Sequence, residues 1–296
     1  FSYSIGLNFG KGDNKVTKWI DVPFNFPSTI TTKEGYSTIR PKWGYLVWRG
    51  NEGGDGLLRT QADIDAYWAY LTDLATKAGT TPLYNAGSAN ISAKANMKKG
   101  MLAYQDLGGI LNAAAQTIAG PNGQIRDDED FTELVKKDRS YGIVANIGVN
   151  WRNFSLTTQI SSSWGGYNRI DYVKQGTSST NNMWSHEIYL NNMYDTLDNV
   201  GGAWPNLAYH SSNNISSDFW QISSFRCFVR SLTVGYTLPK GIASKLKMES
   251  LKVSAAGFNL WDLYNPYPEK YRNMYDNPQV AYPTLRTWSV GINATF

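Results

Sequence analysis

Six segments of the chain alternate apolar with small or polar residues at period two, the pattern of a strand with one greasy and one wet face. Phe1, Tyr3, Ile5, Leu7 and Phe9 interleave with Ser2, Ser4, Gly6, Asn8 and Gly10. Tyr141, Ile143, Ala145, Ile147, Val149 and Trp151 form the second set, opposite Gly142, Asn146, Gly148 and Asn150, and Val144 alone breaks it. The third runs from Phe154 to Trp164. The fourth sets Phe228, Leu232, Val234, Tyr236 and Leu238 against Ser231, Thr233, Gly235 and Thr237. The fifth, Leu251 to Trp261, is less regular, and the sixth carries Trp288, Val290, Ile292, Ala294 and Phe296 on one side. A soluble sandwich also alternates, but its outer face usually carries Lys, Glu, Arg and Thr. Here the wet face is Ser, Thr, Asn, Gln and Gly, and aromatics mark the ends of the greasy faces. Such segments read as strands of an outer-membrane barrel, with rings anchored at two interfaces.

The connections agree. About 130 residues separate the first two strands, a tight turn at Arg152-Asn153 follows, then roughly 55 residues, the turn from Pro239 to Ser250, and about 20 residues before the last strand. Barrels of this kind have short periplasmic turns and long outer loops, and the lengths here alternate in that order. Six strands are fewer than the eight or so of the smallest single-chain barrels, so the sheet is part of a larger barrel or needs partners. Inside the first long loop, Thr60-Gln61-Ala62-Asp63 is a capping box, followed at helical spacing by Ile64, Tyr67, Trp68, Leu71, Leu74 and Ala75 and closed by Gly79, which predicts an amphipathic helix.

Composition narrows the function. Charged residues are 18% of the 296, against about 25% in soluble proteins, while aromatics reach 14%. The net charge of +4 comes from scattered side chains, which argues against a nucleic-acid surface. One cysteine, Cys227, forbids an internal disulfide, and with His186 and His210 it is too few for a Cys/His zinc site. No stretch approaches the roughly 18 apolar residues of a membrane helix. His186-Glu187 starts a zinc-protease pattern, but Leu190 stands where the second histidine belongs, and no phosphate loop, dinucleotide fingerprint or nucleophile elbow occurs. No catalytic set is found, and no cofactor is required. The run Asp127-Asp128-Glu129-Asp130 offers the hard oxygens calcium takes, yet lacks an EF-hand pattern and reads as a solvated loop. Trp184, Trp204 and the other loop tryptophans are of the type that stacks on sugars or peptides, or else staples the loops together. Asn146, Asn150 and Gln159, on the wet faces, are candidate substrate-lining groups or a solvated wall.

Three ordered motifs resemble a known family. Ser231-Leu232-Thr233-Val234-Gly235-Tyr236-Thr237-Leu238-Pro239, then Leu251 to Leu260 with Gly257, Asn259 and Leu260, then Tyr282-Pro283 and Arg286 through Gly291 to Phe296, are similar to the C-terminal end of SusC/RagA-type TonB-dependent transporters of Bacteroidetes. Upstream, Gly44-Tyr45, Gln61 to Tyr67 and Met101 to Asp106 resemble further segments of that family. Here, however, 108–121 follow the last of these boxes, where the family often continues at once with an acidic, glycine-rich run. The resemblance implies that residues 1–296 are the C-terminal strands of a 22-stranded antiparallel outer-membrane β-barrel, with long extracellular loops containing short helices. Plug, TonB box and signal peptide would lie upstream of Phe1. It further implies active import of an oligosaccharide or peptide, with a SusD-like surface lipoprotein as lid and TonB-ExbB-ExbD as the energy source. A Ca2+ at Asp106, Asn122 and Asp130 is carried over on the same ground. Trp288, Val290, Ile292 and Phe296 would be the signal read by the barrel-assembly machinery before insertion into outer-membrane lipid. Two rivals remain open at this point: a soluble secreted β-sandwich lectin, and a passive porin.

Overall fold

A computed structural model of the chain describes residues 1–19, 34–35, 37, 42–108, 111–112, 117–118, 120–135, 140–169, 173–175, 183–185, 187–267 and 285–296. The chain forms two compact units. One comprises Phe1–Asp13, Asp138–Asn168 and Ile222–Phe296; the other comprises Asn14–Lys137 and Arg169–Gln221.

The first unit is a six-stranded antiparallel sheet: β1 (Ser2–Gly12), β2 (Ser140–Trp151), β3 (Phe154–Trp164), β4 (Arg226–Thr237), β5 (Ser250–Tyr264) and β6 (Thr287–Thr295). Spatial order follows chain order, so every strand pairs with its sequence neighbours. These are the six segments whose period-two pattern predicts strands, each matched to within a few residues at its ends. Arg152, in a left-handed conformation at φ 52°, makes the two-residue turn from β2 to β3. The β4–β5 connection, expected as a plain turn, contains a short helix, α2 (Lys240–Lys245), started by Pro239. Since short connections join β2 to β3 and β4 to β5, the long ones all leave from the opposite end of the sheet.

The fourth segment departs from its predicted pattern. Val229 pairs with Ile160 and Ser231 with Gln159, so one extra residue is accommodated in β4 between them. Such a bulge shifts the side-chain parity by one. Val229 therefore joins the apolar set, and Phe228, expected on the greasy face with Leu232 and Val234, pairs with Ser161 on the wet face.

The second unit is built by the two long insertions around helix α1 (Gln61–Ala78). The capping box forms as expected: the Thr60 hydroxyl accepts from the Asp63 N–H at 3.0 Å, and the Asp63 carboxylate accepts from the Thr60 N–H at 2.9 Å. Gly79 closes the helix at φ 70°, the left-handed conformation that glycine takes without strain. Ile64, Tyr67, Leu71 and Ala75 are buried along one face. They meet a column of tyrosines in which Tyr45 stacks on Tyr104 at 4.3 Å and Tyr104 on Tyr84 at 6.2 Å. Each ring buries its carbon while its hydroxyl finds an acceptor. Tyr67 donates to the Tyr104 carbonyl, Tyr84 to that of Leu102, Tyr104 to that of Ser212, and Tyr45 to the Asp127 carboxylate.

Candidate functional site

The register places the greasy positions of all six strands on one face. Ile5, Ile147, Thr158, Leu232, Gly257 and Trp288 form one row across the sheet; Tyr3, Val149, Leu156, Val234, Ala255 and Val290 form the next. None of these side chains is charged, and many lie open: Ile5 is 62% exposed, Val290 78% and Ile292 73%. Soluble monomers rarely present so large a contiguous apolar surface.

Aromatic side chains bracket this face. At one end Tyr141 stacks on Trp164 at 6.0 Å, with Phe9 6.3 Å from the same indole. At the other, Trp151 stacks on Phe154 at 6.5 Å and Phe154 lies 4.6 Å from Tyr236, while the Arg152 guanidinium covers the Trp151 ring. From Tyr141 to Trp151 the strand rises about 34 Å at 3.4 Å per residue, and a tilt of ~40° projects that onto ~26 Å, the height of a barrel's lipid-facing band.

The two aromatic belts also step along the strands together. On β2 they are Tyr141 and Trp151; on β6 they are Trp288 and Phe296. Trp288 shares the row of Ile147, six positions along from Tyr141, and Phe296 lies four positions beyond Ile292, whose row contains Trp151. A level plane cutting strands tilted by ~40° and spaced ~4.8 Å apart must shift by ~16 Å, or about five residues, over the four steps from β2 to β6. Both belts shift in the same sense by nearly that amount. Trp288, Val290 and Ile292 on β6 and Phe296 just beyond it, the candidate assembly signal, are all exposed.

The opposite face carries Asn146, Asn150 and Gln159, as expected. Gln159 donates to Asn146 at 2.9 Å and Asn150 reaches the Ser2 hydroxyl at 3.4 Å. The Arg226–Asp262 ion pair on this face, at 3.1 Å, has no counterpart in the sequence reading. No alternation pattern marks it, because the β4 bulge decides which way this stretch of the strand faces.

In the second unit, Trp204 packs into an aromatic group, stacked at 5.9 Å on buried Trp220 and edge-on to Phe219. It is a staple of that group. Trp184 belongs to the short pair Val173–Gln175 and Met183–Ser185, opposite Lys174.

Asp106, Asn122 and Asp130 do come together, and their neighbour Glu129 is buried as well, so this part of the acidic run is not a solvated loop. Asp106 Oδ2 accepts the N–H groups of Asn122 and Gly123, and Asn122 donates its amide to Glu129 at 3.2 Å. Asp130 accepts from Leu107 at 2.8 Å, Gly108 at 3.0 Å and Arg126 at 2.8 Å. Asn122 Oδ1 accepts from the Gln124 N–H at 2.9 Å. Burial pushes Asp130 up to about 8 despite these N–H donors, and neighbouring Asp106 adds to the rise. Burial also raises Asp106 and Glu129. Calcium takes six to eight oxygens, whereas here Asp106 Oδ1 is the one oxygen of Asp106, Asn122 and Asp130 left without a hydrogen bond. Among the described residues no group of three or more His, Cys, Asp and Glu could hold a metal.

No protein-family model and no curated protein matches the chain. Among solved structures it is similar to the RagAB peptide transporter, at 16% identity and a TM-score of 0.42, over 67% of this chain and 21% of that one. A second is the RagAB peptide importer in the "open-open" state, at 13% identity and a TM-score of 0.36, over 64% and 21%. The chain spans about a fifth of the length of these proteins.

Proposed function

We propose that the sheet is a section of the wall of an outer-membrane β-barrel, and that the chain serves active import of a nutrient, an oligosaccharide or a peptide. Carrying this reading is the matched stagger of the two aromatic belts on an uncharged, open face. A sheet packed in a soluble core has no reason to step two rows of rings in the same sense along a tilted plane. A lipid bilayer has that reason, since aromatic rings settle at both of its interfaces. The polar opposite face suits a hydrated lumen, and β1 and β6, the outer strands of the sheet among the described residues, leave room for the further strands that closure needs. The C-terminal motifs support a SusC/RagA-type transporter working with a SusD-like lipoprotein and driven by TonB-ExbB-ExbD. Capture and passage break no bond, so no catalytic set is called for.

The test is extraction and uptake. Cells carrying the full protein are fractionated, and nutrient uptake is followed with and without a protonophore. A detergent-dependent, heat-modifiable outer-membrane protein whose uptake stops when the proton gradient collapses is the expected result. Uptake indifferent to the gradient means a passive porin, and a protein soluble without detergent overturns the barrel.

A further inference from the structure

The short connections of the sheet gather positive charge. Arg152 makes the β2–β3 turn, and Lys240, Lys245 and Lys247 lie in the β4–β5 connection. The two turns are neighbours: the Thr237 N–H donates to the Asn153 carbonyl at 2.9 Å, and Phe154 lies 4.6 Å from Tyr236. All four cations are exposed, and none has an ion pair among the described residues. Glu249 is the one acidic side chain in either connection. At the opposite end the strands carry both signs, with Lys11 and Asp13 at the end of β1 and the Arg226–Asp262 pair across β4 and β5. Among the lysines, Ile242 and Leu246 are 50% and 51% exposed, one helical turn apart. Ala243 is buried, so α2 holds to the sheet by a small side chain and turns cations and aliphatic carbon outward.

Helix stability alone does not account for these residues. The dipole of α2 favours Lys245 and Lys247 at its end but not Lys240 at its start. The helix closes in a Schellman motif, the Lys247 N–H on the Ser244 carbonyl and the Met248 N–H on that of Ala243, both at 3.0 Å. Lys247 is left-handed there at φ 57°, a position glycine fills without strain, so its charge is placed at some cost to the fold. These groups also stand just beyond one aromatic belt: the Arg152 guanidinium lies 5.2 Å from the Trp151 ring centre, and Lys240 comes four residues after Tyr236. Where rings settle at a bilayer interface, charges one step outward meet headgroup phosphates. We infer that this end of the sheet binds an anionic phospholipid leaflet, with Arg152 and the three lysines on headgroup phosphates and Ile242 and Leu246 at the acyl boundary. An acidic protein would pair with the cations but gives no reason for aliphatic side chains beside a belt of rings, whereas membrane-surface segments combine the two. This rests on the barrel reading above and adds a lipid preference to it.

The test uses the full protein in phosphatidylcholine bilayers, with spin-labelled phosphatidylglycerol or phosphatidylcholine as the probe, and electron spin resonance measures how strongly each associates with the protein. One variant combines Lys240→Gln, Lys245→Gln and Lys247→Gln; a second changes the same three residues to Arg. A third, Lys77→Gln with Lys98→Gln and Lys99→Gln, removes equal charge from the other unit. Heat-modifiable migration checks that each is folded in the membrane. The expected result is a wild-type preference for phosphatidylglycerol that falls on the order of fivefold or more in the first variant, the worth of about one lysine at an anionic surface, and survives in the other two. A folded wild type without the preference, a preference untouched by the first variant, or an equal fall in the third overturns the lipid site and leaves the barrel standing. So does competition by inorganic phosphate beyond that of chloride at equal ionic strength, which would make the patch a site for the free ion. A protein that never enters the bilayer removes the barrel reading itself, and the migration assay tells that failure apart.

Discussion

Arginine scanning along β2 separates a lipid-facing strand from a soluble one. Ile143, Ile147 and Trp151 share one face of β2, with Ile147 near mid-height between Tyr141 and Trp151. An arginine on the lipid face costs about 2–4 kcal/mol at the bilayer midplane and about 0–1 kcal/mol near the interfaces. Ile147→Arg is therefore expected to lower the folding equilibrium roughly 30- to 700-fold, at about 1.4 kcal/mol per factor of ten, and Trp151→Arg by less than tenfold from the charge alone. Thr157→Arg is the control, because Thr157 sits at nearly the same height on the wet face, paired with Gly148. It should cost little. The assay is reversible unfolding of the full protein in lipid vesicles by urea, read from tryptophan fluorescence, with midpoints and slopes compared. A penalty that ignored depth, or one as large at Thr157 as at Ile147, would refute the assignment of the two faces.

Three further outcomes concern the insertion unit. Asp130 is held near 8 and Asp106 is raised, so the folded pair keeps a proton that the unfolded chain has lost above about pH 4; stability should fall as pH rises from about 4 to about 8 and level off beyond. Asp106→Asn, which places a neutral amide where Oδ1 has no partner, should reduce this slope in thermal unfolding at pH 5 and pH 8 by the part Asp106 contributes while buried Asp130 keeps the rest, and an unchanged slope would clear Asp106 of any part in it. Gly123→Ala should destabilise by roughly 2–4 kcal/mol, since Gly123 has φ 78° and its new methyl would lie 2.5 Å from the Ala75 nitrogen and the Leu71 carbonyl oxygen. Thr60→Ala should cost about 1 kcal/mol through the lost cap, measured by denaturant unfolding, whereas the exposed-face change Thr72→Ala should cost far less.

Strands were legible wherever burial on one side imposes a period of two, and the capped helix wherever Thr60, Asp63 and Gly79 state its ends. What stayed hidden depends on partners distant in sequence. A bulge is fixed by the neighbouring strands, and nothing between Arg226 and Ser231 announces that Phe228 will change sides; the Val144 exception was visible, but not that Phe228 would join it. Burial of Glu129 and Asp130 was likewise illegible, because the N–H groups that receive Asp130 come mainly from Leu107 and Gly108, some twenty residues away. For Trp204 the sequence leaves stacking on a ligand and stapling of the loops both open, and Trp220 and Phe219 packed against it make it a staple.

The insertion unit bears on how quickly the sheet assembles. Gly12 of β1 pairs with Ser140 of β2, although most of the chain between them belongs to that other unit. Closing a flexible loop costs free energy that grows as (3/2)RT ln n, so a structureless connection of ~130 residues costs about 2 kcal/mol more than one of ~10. A connection whose residues had already packed on the column of Tyr45, Tyr84 and Tyr104 would leave fewer free residues to close and would reduce that difference. β1 and β2 would then meet more readily, by at most the roughly fiftyfold that the full difference is worth, and packing of that unit, which also draws on Arg169–Gln221, would come before closure of the strand pair.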